Sequence, residues 1–244
     1  AVKGGLNPQM FNSFLDGTKS AIEMAATSNA TGLLPPDDGL LFPPSSTDDL
    51  ASVLRPADEG GVLARRGMVE VVSSVHRDGS SVGRDLRWGV YVTLAAGDEY
   101  VRRCFKEYGL QTSPCGWYAS QYKPFHLIGL ELGISVASAA LRHEPTGAPT
   151  GWRADVVAVA KRDLRAGEVL DGEGGFTVWG KVVPATTSLT HGALPLGLAH
   201  GGVVTSAVAA GETLRWADVD FGGAGLEQSV ALRREMEAAC PALC

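Results

Sequence analysis

The stretch from Ala158 to Asp171, Ala-Val-Ala-Lys-Arg-Asp-Leu-Arg-Ala-Gly-Glu-Val-Leu-Asp, is the most informative part of this chain. Its small and β-branched residues predict a strand, and the Lys-Arg-Asp run that follows predicts a charged corner. The Ala-Gly-Glu turn then predicts the start of a second strand. A second copy of the pattern follows at Ala207–Leu214, with Asp218-Val219 behind it. The C-terminal third is therefore expected to be a small all-β unit with two related halves.

Together the two copies resemble the halves of a SAF domain, a small β-clip module that is attached to several kinds of enzyme. The resemblance covers about Arg153 to Phe221, and an acidic-basic helix is predicted from Leu226 to Ala239. Because the module occurs in different enzymes, it does not by itself indicate a reaction.

The composition is typical of a globular protein and limits the partners. The chain has 244 residues, and its net charge of −6 disfavours nucleic acids and anionic membranes, although a local basic pocket remains compatible with a small anionic substrate. No apolar run approaches the ~20 residues of a membrane helix, and the N-terminus lacks the features of a signal peptide, so we expect a cytoplasmic protein. The chain begins at Ala1 without a methionine, which suggests that residues upstream were removed or are not included.

Two long helices are predicted in the first part of the chain. Asn7 can cap the first, which Gly32 ends, and apolar residues at three- and four-residue steps predict a buried stripe that includes Met10, Phe14 and Leu15. The second, from about Pro124 to Leu141, is apolar nearly all round. A helix of that kind is buried or shared between subunits, so we expect a homodimer or a larger oligomer.

The best candidate for a linker is the Pro- and Gly-containing segment Glu144–Gly151. It predicts a helix-and-sheet domain for substrate binding and dimerisation at residues 1–151. Residues 152–244 would form the all-β SAF-like domain with its terminal helix. The expected fold class is α+β.

Four polar residues of the first predicted helix, Asn12, Asp16, Lys19 and Glu23, recur at steps of four, three and four and so share one face. One interpretation is a solvated face with weak ion pairs between Lys19 and its two acidic neighbours. The other is the wall of an active site, in which a lysine between two carboxylates donates a proton or anchors an anion.

Further candidates lie at the starts of the two helices. Lys3 precedes a Gly-Gly pair at the first helix, where backbone amides favour anions. Lys123 and His126 open the second helix beside Tyr122, and Glu131, within its apolar part, needs a partner such as His126 or a lysine of the first helix. Neither the histidines nor the four cysteines show metal-ligand spacing, so we expect no metal, and we expect the cysteines to be reduced thiols.

The first part of the chain carries a second resemblance, to the homoserine-dehydrogenase-like NAD(P)-dependent oxidoreductases that end in a SAF domain. A deoxyxylulose-phosphate reductoisomerase-like enzyme belongs to that group. The resemblance covers Lys3 to about Glu237 and is carried by Lys3–Pro8, Phe14–Lys19, Glu23-Met24, Gly39–Pro44 and Pro124–Glu131.

The resemblance implies a small hydroxy or keto metabolite, with or without phosphate, as substrate and NAD(P) as cofactor. It also implies that the substrate cleft is lined by Lys3, Asp16, Lys19, Glu23, Lys123 and His126; Asn12 and Tyr122 are added as substrate-binding candidates. The sequence departs from the family by lacking the Gly-x-Gly-x-x-Gly turn after a strand that holds a dinucleotide, so no cofactor-binding residue is assigned.

Three functions are therefore compatible with the sequence. The first is the catalytic and SAF portion of an oxidoreductase whose cofactor domain lies upstream. The second is a cofactor-free isomerase or lyase derived from that family. The third is a non-catalytic module for assembly.

Overall fold

The computed structural model describes residues 2–239, and it confirms the α+β class. Cys240 and Cys244 lie outside the described residues, while Cys104 and Cys115 are free thiols. The helices are α1 (Pro8–Leu15), α2 (Thr18–Thr31), α3 (Leu50–Val53), α4 (Glu99–Glu107), α5 (Leu132–Ala137), α6 (Ala185–His191) and α7 (Glu227–Ala239). The strands are β1 (Val90–Ala95), β2 (Gln111–Thr112), β3 (Tyr118–Lys123), β4 (Ala154–Ala160), β5 (Val178–Pro184), β6 (Val203–Val204) and β7 (Val219–Asp220).

The helices of residues 2–239 are too short or too polar to cross a lipid bilayer.

The chain forms two compact units. One contains the residues up to Leu40 together with those from Pro149 onward, and the other is Leu41–Ala148. The sequence division had placed residues 1–151 together. In the structure α2 instead belongs with the C-terminal strands, because its small residues Ala21 and Ala25 allow it to pack closely on Ala154 and Val182.

The first unit is organised by the antiparallel pair β4–β5, which runs in register from Ala154 opposite Pro184 to Ala160 opposite Val178. Fully buried branched side chains pack around this pair and form a core, and the burial of their apolar surface stabilises the unit. The largest of these are Leu164, Leu170, Leu194, Leu214, Val157, Val159, Val178, Val182 and Val204.

The two copies of the quoted pattern lie side by side in this unit. Leu164 of the first copy donates its N–H to the carbonyl of Val208 at 2.8 Å, and Val208 returns the bond at 3.1 Å. The two Ala-Gly-Glu turns close in the same way, with N–H bonds from Glu168 to Arg165 and from Glu212 to Ala209, each 3.1 Å. The internal duplication seen in the sequence is therefore a duplication of structure.

The first predicted helix is two helices. Asn7 caps α1 as predicted, accepting hydrogen bonds from the amides of Gln9 and Met10 at 3.0 and 3.1 Å. The helix then ends because Gly17 adopts a left-handed conformation (φ 86°), and the carboxylate of Asp16 accepts the N–H of Thr18 at 2.9 Å to start α2. A continuous face from residue 12 to residue 23 is therefore not formed.

The apolar stripe of α1, predicted to be buried, faces outward. Met10 is 64% exposed and Leu15 is 72% exposed, whereas the small polar residue Ser13 is fully buried. The reason is that the polar side chains of α1 find hydrogen-bond partners in the protein, which orients the apolar residues away from it.

The second unit contains the antiparallel sheet β1–β3–β2, in which Val90 lies opposite Lys123 and Ala95 opposite Tyr118. The helix α4 begins after Asp98, which caps it by accepting the N–H of Val101 at 2.8 Å.

The second predicted helix is much shorter than expected. Strand β3 extends to Lys123, α5 begins only at Leu132, and a π-helical turn follows at Ser138–Arg142. Its apolar residues, expected to be covered, are exposed in this chain, with Leu130 at 82% and Ile134 at 64%. The segment is apolar as predicted, but residues 124–131 form turns instead of a helix, and Gly129 among them adopts the left-handed conformation (φ 84°).

The terminal helix α7 is fixed to the first unit by a clamp centred on Arg233. Its guanidinium binds both carboxylate oxygens of Asp155, at 3.2 and 2.5 Å, and lies over the ring of Trp152. Asp155 is buried and also accepts a hydrogen bond from Ser188 at 2.6 Å. Asp155 is therefore a buried carboxylate that depends on Arg233 for its countercharge.

We expect Arg233→Ala to destabilise the chain by about 3 kcal/mol, because removing one partner leaves a buried charge uncompensated. Arg234→Ala is the matched control: the neighbouring arginine is half-exposed and pairs with Glu237, so its loss should cost less than about 1 kcal/mol. Denaturant unfolding measures both free energies. Equal losses for the two variants would contradict the clamp.

Candidate functional site

The charged corner after β4 carries the central interaction of the site. The ammonium group of Lys161 lies 2.6 Å from the Asp16 carboxylate and donates a hydrogen bond to the carbonyl of Gly175 at 2.5 Å. Both charged side chains are mostly shielded from solvent, with 20% of Lys161 and 14% of Asp16 exposed. A charged pair in this position is held in one geometry, because each partner would lose its compensation if it moved.

The other polar side chains of α1 bind the loop at residues 171–176. Gln9 donates from Nε2 to the carbonyls of Asp171 and Glu173, at 2.8 and 2.9 Å, and Asn12 donates from Nδ2 to the carbonyl of Gly174 at 2.9 Å. These two residues and Asp16 share one face of α1 by helical spacing. The polar side chains of α1 therefore form the surface by which this helix holds the loop.

The loop itself is tightly constrained. A Cβ atom on Gly174 would approach the Gln9 carbonyl oxygen to 1.9 Å, so only glycine permits this contact. The carboxylate of Asp171 accepts the N–H groups of Phe176 and Thr177, at 2.5 and 3.0 Å. Partial burial acts to raise the pKa of Asp171, but hydrogen bonds from Thr177 and Phe176 outweigh it and lower that pKa below its usual value.

An open cavity of about 650 Å³ lies where β4, α1 and this loop meet. That volume is within the range of ligand pockets. The side chains on its wall are those of Asn12, Asp16, Lys161, Arg162, Phe176 and Trp179. It thus combines two cations, one carboxylate and two aromatic rings. Within residues 2–239, no three His, Cys, Asp or Glu side chains are placed to hold a metal ion together.

Of the residues predicted on the first helix, the structure brings only Asn12 and Asp16 to this cavity. Lys19 and Glu23 lie half-buried on α2, and among the described residues neither side chain has an ion-pair partner. The predicted ion pairs of Lys19 are therefore not formed, because the break at Gly17 turns α2 away and Asp16 binds Lys161. Lys3 is exposed in a short 3-10 turn.

The remaining predicted residues form a cluster in the second unit. Glu131 pairs with Lys123 and accepts the Leu127 N–H at 2.8 Å, while His126 Nδ1 lies 3.8 Å from its carboxylate. The hydrogen bond from Lys123, followed by that from Leu127, lowers the pKa of Glu131. The expected need of Glu131 for a partner is met by Lys123 of β3 rather than by a lysine of the first helix. Tyr122 is partly exposed on the same strand.

Sequence reasoning missed Lys161, Arg162, Phe176 and Trp179. A signal for the first two was present, since the Lys-Arg pair follows directly after a predicted buried strand. Phe176 and Trp179 carried no such signal, because isolated aromatic residues are more often core residues.

Two protein-family models match the chain. Residues 1–132 match the family model described as oxidoreductase DRL, catalytic domain, and residues 155–220 match the SAF domain. No curated protein matches the chain. The catalytic-domain match spans more than half of the sequence and includes Asn12 and Asp16, while the SAF match includes the charged corner. The chain therefore belongs to the oxidoreductase DRL catalytic-domain family and carries a SAF domain.

Proposed function

We propose that this chain is the catalytic and SAF portion of an oxidoreductase that acts on a small polar hydroxy or keto metabolite, with or without a phosphate group. The observation that supports this best is the Lys161–Asp16 pair on the wall of the cavity. The pair holds an amine beside a carboxylate, as the active-site interpretation of the sequence requires. The amine is that of Lys161, whereas the sequence analysis assigned this role to Lys19.

Lys161 can act on a substrate oxygen directly. An ammonium group has three N–H donors, of which Lys161 gives one to the Gly175 carbonyl, while Asp16 at 2.6 Å supplies its countercharge. A remaining N–H can donate to a carbonyl or hydroxyl oxygen in the cavity and withdraw electron density from the adjacent carbon. Asp16 keeps the ammonium group oriented, and Asn12 adds its Oδ1 as an acceptor for a substrate hydroxyl.

Membership in an oxidoreductase family implies a nicotinamide dinucleotide, which usually binds to a parallel βαβ unit with a glycine-rich turn. The three sheets formed by residues 2–239 are all antiparallel, so the described residues do not form such a βαβ unit. We therefore assign no residue of this chain to the cofactor and derive no step through it.

The cluster of Tyr122, Lys123 and His126 is proposed as a second set of substrate contacts. Its support is the Lys123–Glu131 pair, which fixes a cation at the end of β3 beside the exposed imidazole of His126. Lys3, Lys19 and Glu23 stay predictions without support from a side-chain contact.

We also propose that the chain forms a homodimer through the apolar segment around α5. An exposed row of large apolar side chains is unusual on a monomer and is typical of an interface. The members are Leu130, Leu132, Ile134, Val136 and Leu141, each at least 60% exposed.

Lys161→Gln should weaken binding of hydroxyacetone and of dihydroxyacetone phosphate about tenfold, since it removes a charged donor from the substrate oxygen. Lys181→Gln is the matched control, because Lys181 also pairs with an aspartate, Asp38, but lies outside the cavity wall, and it should leave both dissociation constants unchanged. Ligand-observed NMR titration measures the constants for the two probes. Unchanged binding in Lys161→Gln would refute the proposed role of this lysine.

Light scattering at micromolar concentration should give a mass about twice the 25.5 kDa of the chain. Leu132→Asp should reduce it to that of the monomer, because a charge in an apolar interface is left unpaired. Leu232→Asp, at an exposed leucine of α7, serves as the control and should keep the dimer. A monomeric mass for the unmodified chain would contradict the proposed dimer.

A further inference from the structure

The free edge of Arg162 is the first feature that points to the kind of molecule the cavity selects. Its Nη1 donates to the Asp163 carbonyl at 3.0 Å and lies 3.0 Å from the Glu168 carboxylate. Among the described residues, Nε and Nη2 have no partner. Since the guanidinium is already anchored through Nη1, its other edge forms a fixed pair of donors of the kind that binds a carboxylate side-on.

The second feature is the exposed ring of Phe176. A single exposed aromatic residue needs no explanation by itself. Phe176, however, is 84% exposed at the end of a loop held by Asp171, by Lys161 and by the amides of α1. Because the backbone of the loop is held in this way, the ring of Phe176 starts from a fixed position at the edge of the cavity and offers an apolar contact there.

The third feature is Trp179, which lines the same cavity from β5. One part of its side chain packs on Val157 and Val159, so the indole is held in place. Within residues 2–239 its ring N–H has no hydrogen-bond partner. Trp179 and Phe176 together supply two aromatic surfaces on a wall that also carries Arg162.

From these three features we infer that the cavity selects a ligand with an apolar ring at one end and a carboxylate at the other. Arg162 binds the carboxylate, and the ring lies against Phe176 and Trp179. This inference rests on the proposed function, in which Lys161 contacts the oxygen of the same ligand. It narrows the substrate class to ring-bearing hydroxy or keto acids.

Phenylpyruvate and pyruvate test the inference, because they share the keto acid group and differ by the ring. We expect calorimetric titration to show phenylpyruvate binding about tenfold more tightly than pyruvate. Phe176→Ser should abolish this preference, whereas Phe11→Ser, at an exposed ring of α1 away from the cavity, should retain it.

Arg162→Gln should weaken binding of both acids about tenfold through loss of the charged hydrogen bonds. Arg165→Gln is the matched control, since Arg165 is exposed in the same turn and lies outside the cavity wall. Equal affinity for the two acids, absence of binding by both, or unchanged binding in Arg162→Gln would overturn the inference.

Lys161→Gln separates this inference from the proposed function. Weaker binding of both acids with the ring preference retained supports both proposals. If binding is unchanged in Lys161→Gln while Arg162→Gln and Phe176→Ser act as expected, the selectivity stands and the role of Lys161 fails. If Lys161→Gln weakens binding but the two acids bind equally, the role of Lys161 stands and the selectivity fails.

Discussion

The ion pair between Asp16 and Lys161 is the interaction on which the site depends. It joins the end of α1 to the corner after β4, two segments that are far apart in the sequence. Because Lys161 also holds the Gly175 carbonyl, the pair fixes the loop that carries Phe176. A single ammonium group therefore connects the three segments that form the wall of the cavity, because it contacts both Asp16 and the Gly175 carbonyl.

The orientation of α1 shows why an amphipathic pattern does not determine which face is buried. The periodicity of Met10 and Phe14 correctly predicted helical structure here, although as one helix instead of two, but the usual assumption that apolar residues face inward was wrong. The amides of Gln9 and Asn12 bind backbone carbonyls that lie far along the chain. The sequence of α1 does not reveal these distant partners. The face of α1 that is buried therefore could not be predicted from the sequence of the helix.

Other parts could be predicted because the deciding contacts are local or strongly periodic. The Asn7 cap and the duplicated turns of the SAF domain both depend on contacts between residues only a few positions apart. The helix predicted from Pro124 was wrong in its first part, because residues 124–131 form turns in which Gly129 adopts the left-handed conformation. For the site, Asn12 and Asp16, which the sequence predicts as site residues, line the cavity, while Lys161 is visible in the sequence only as part of a charged corner.

The charges of the cavity also bear on its selectivity. Lys161 is compensated by Asp16, and Arg162 by Glu168, so each cation carries its own countercharge. A cavity built this way attracts anions less strongly than one with free cations, because a ligand competes with a carboxylate already in place. Its selectivity must then come from the position of the remaining donors and from the two aromatic surfaces. Compensated cations therefore favour a ligand that matches several groups at once over one that is only negatively charged.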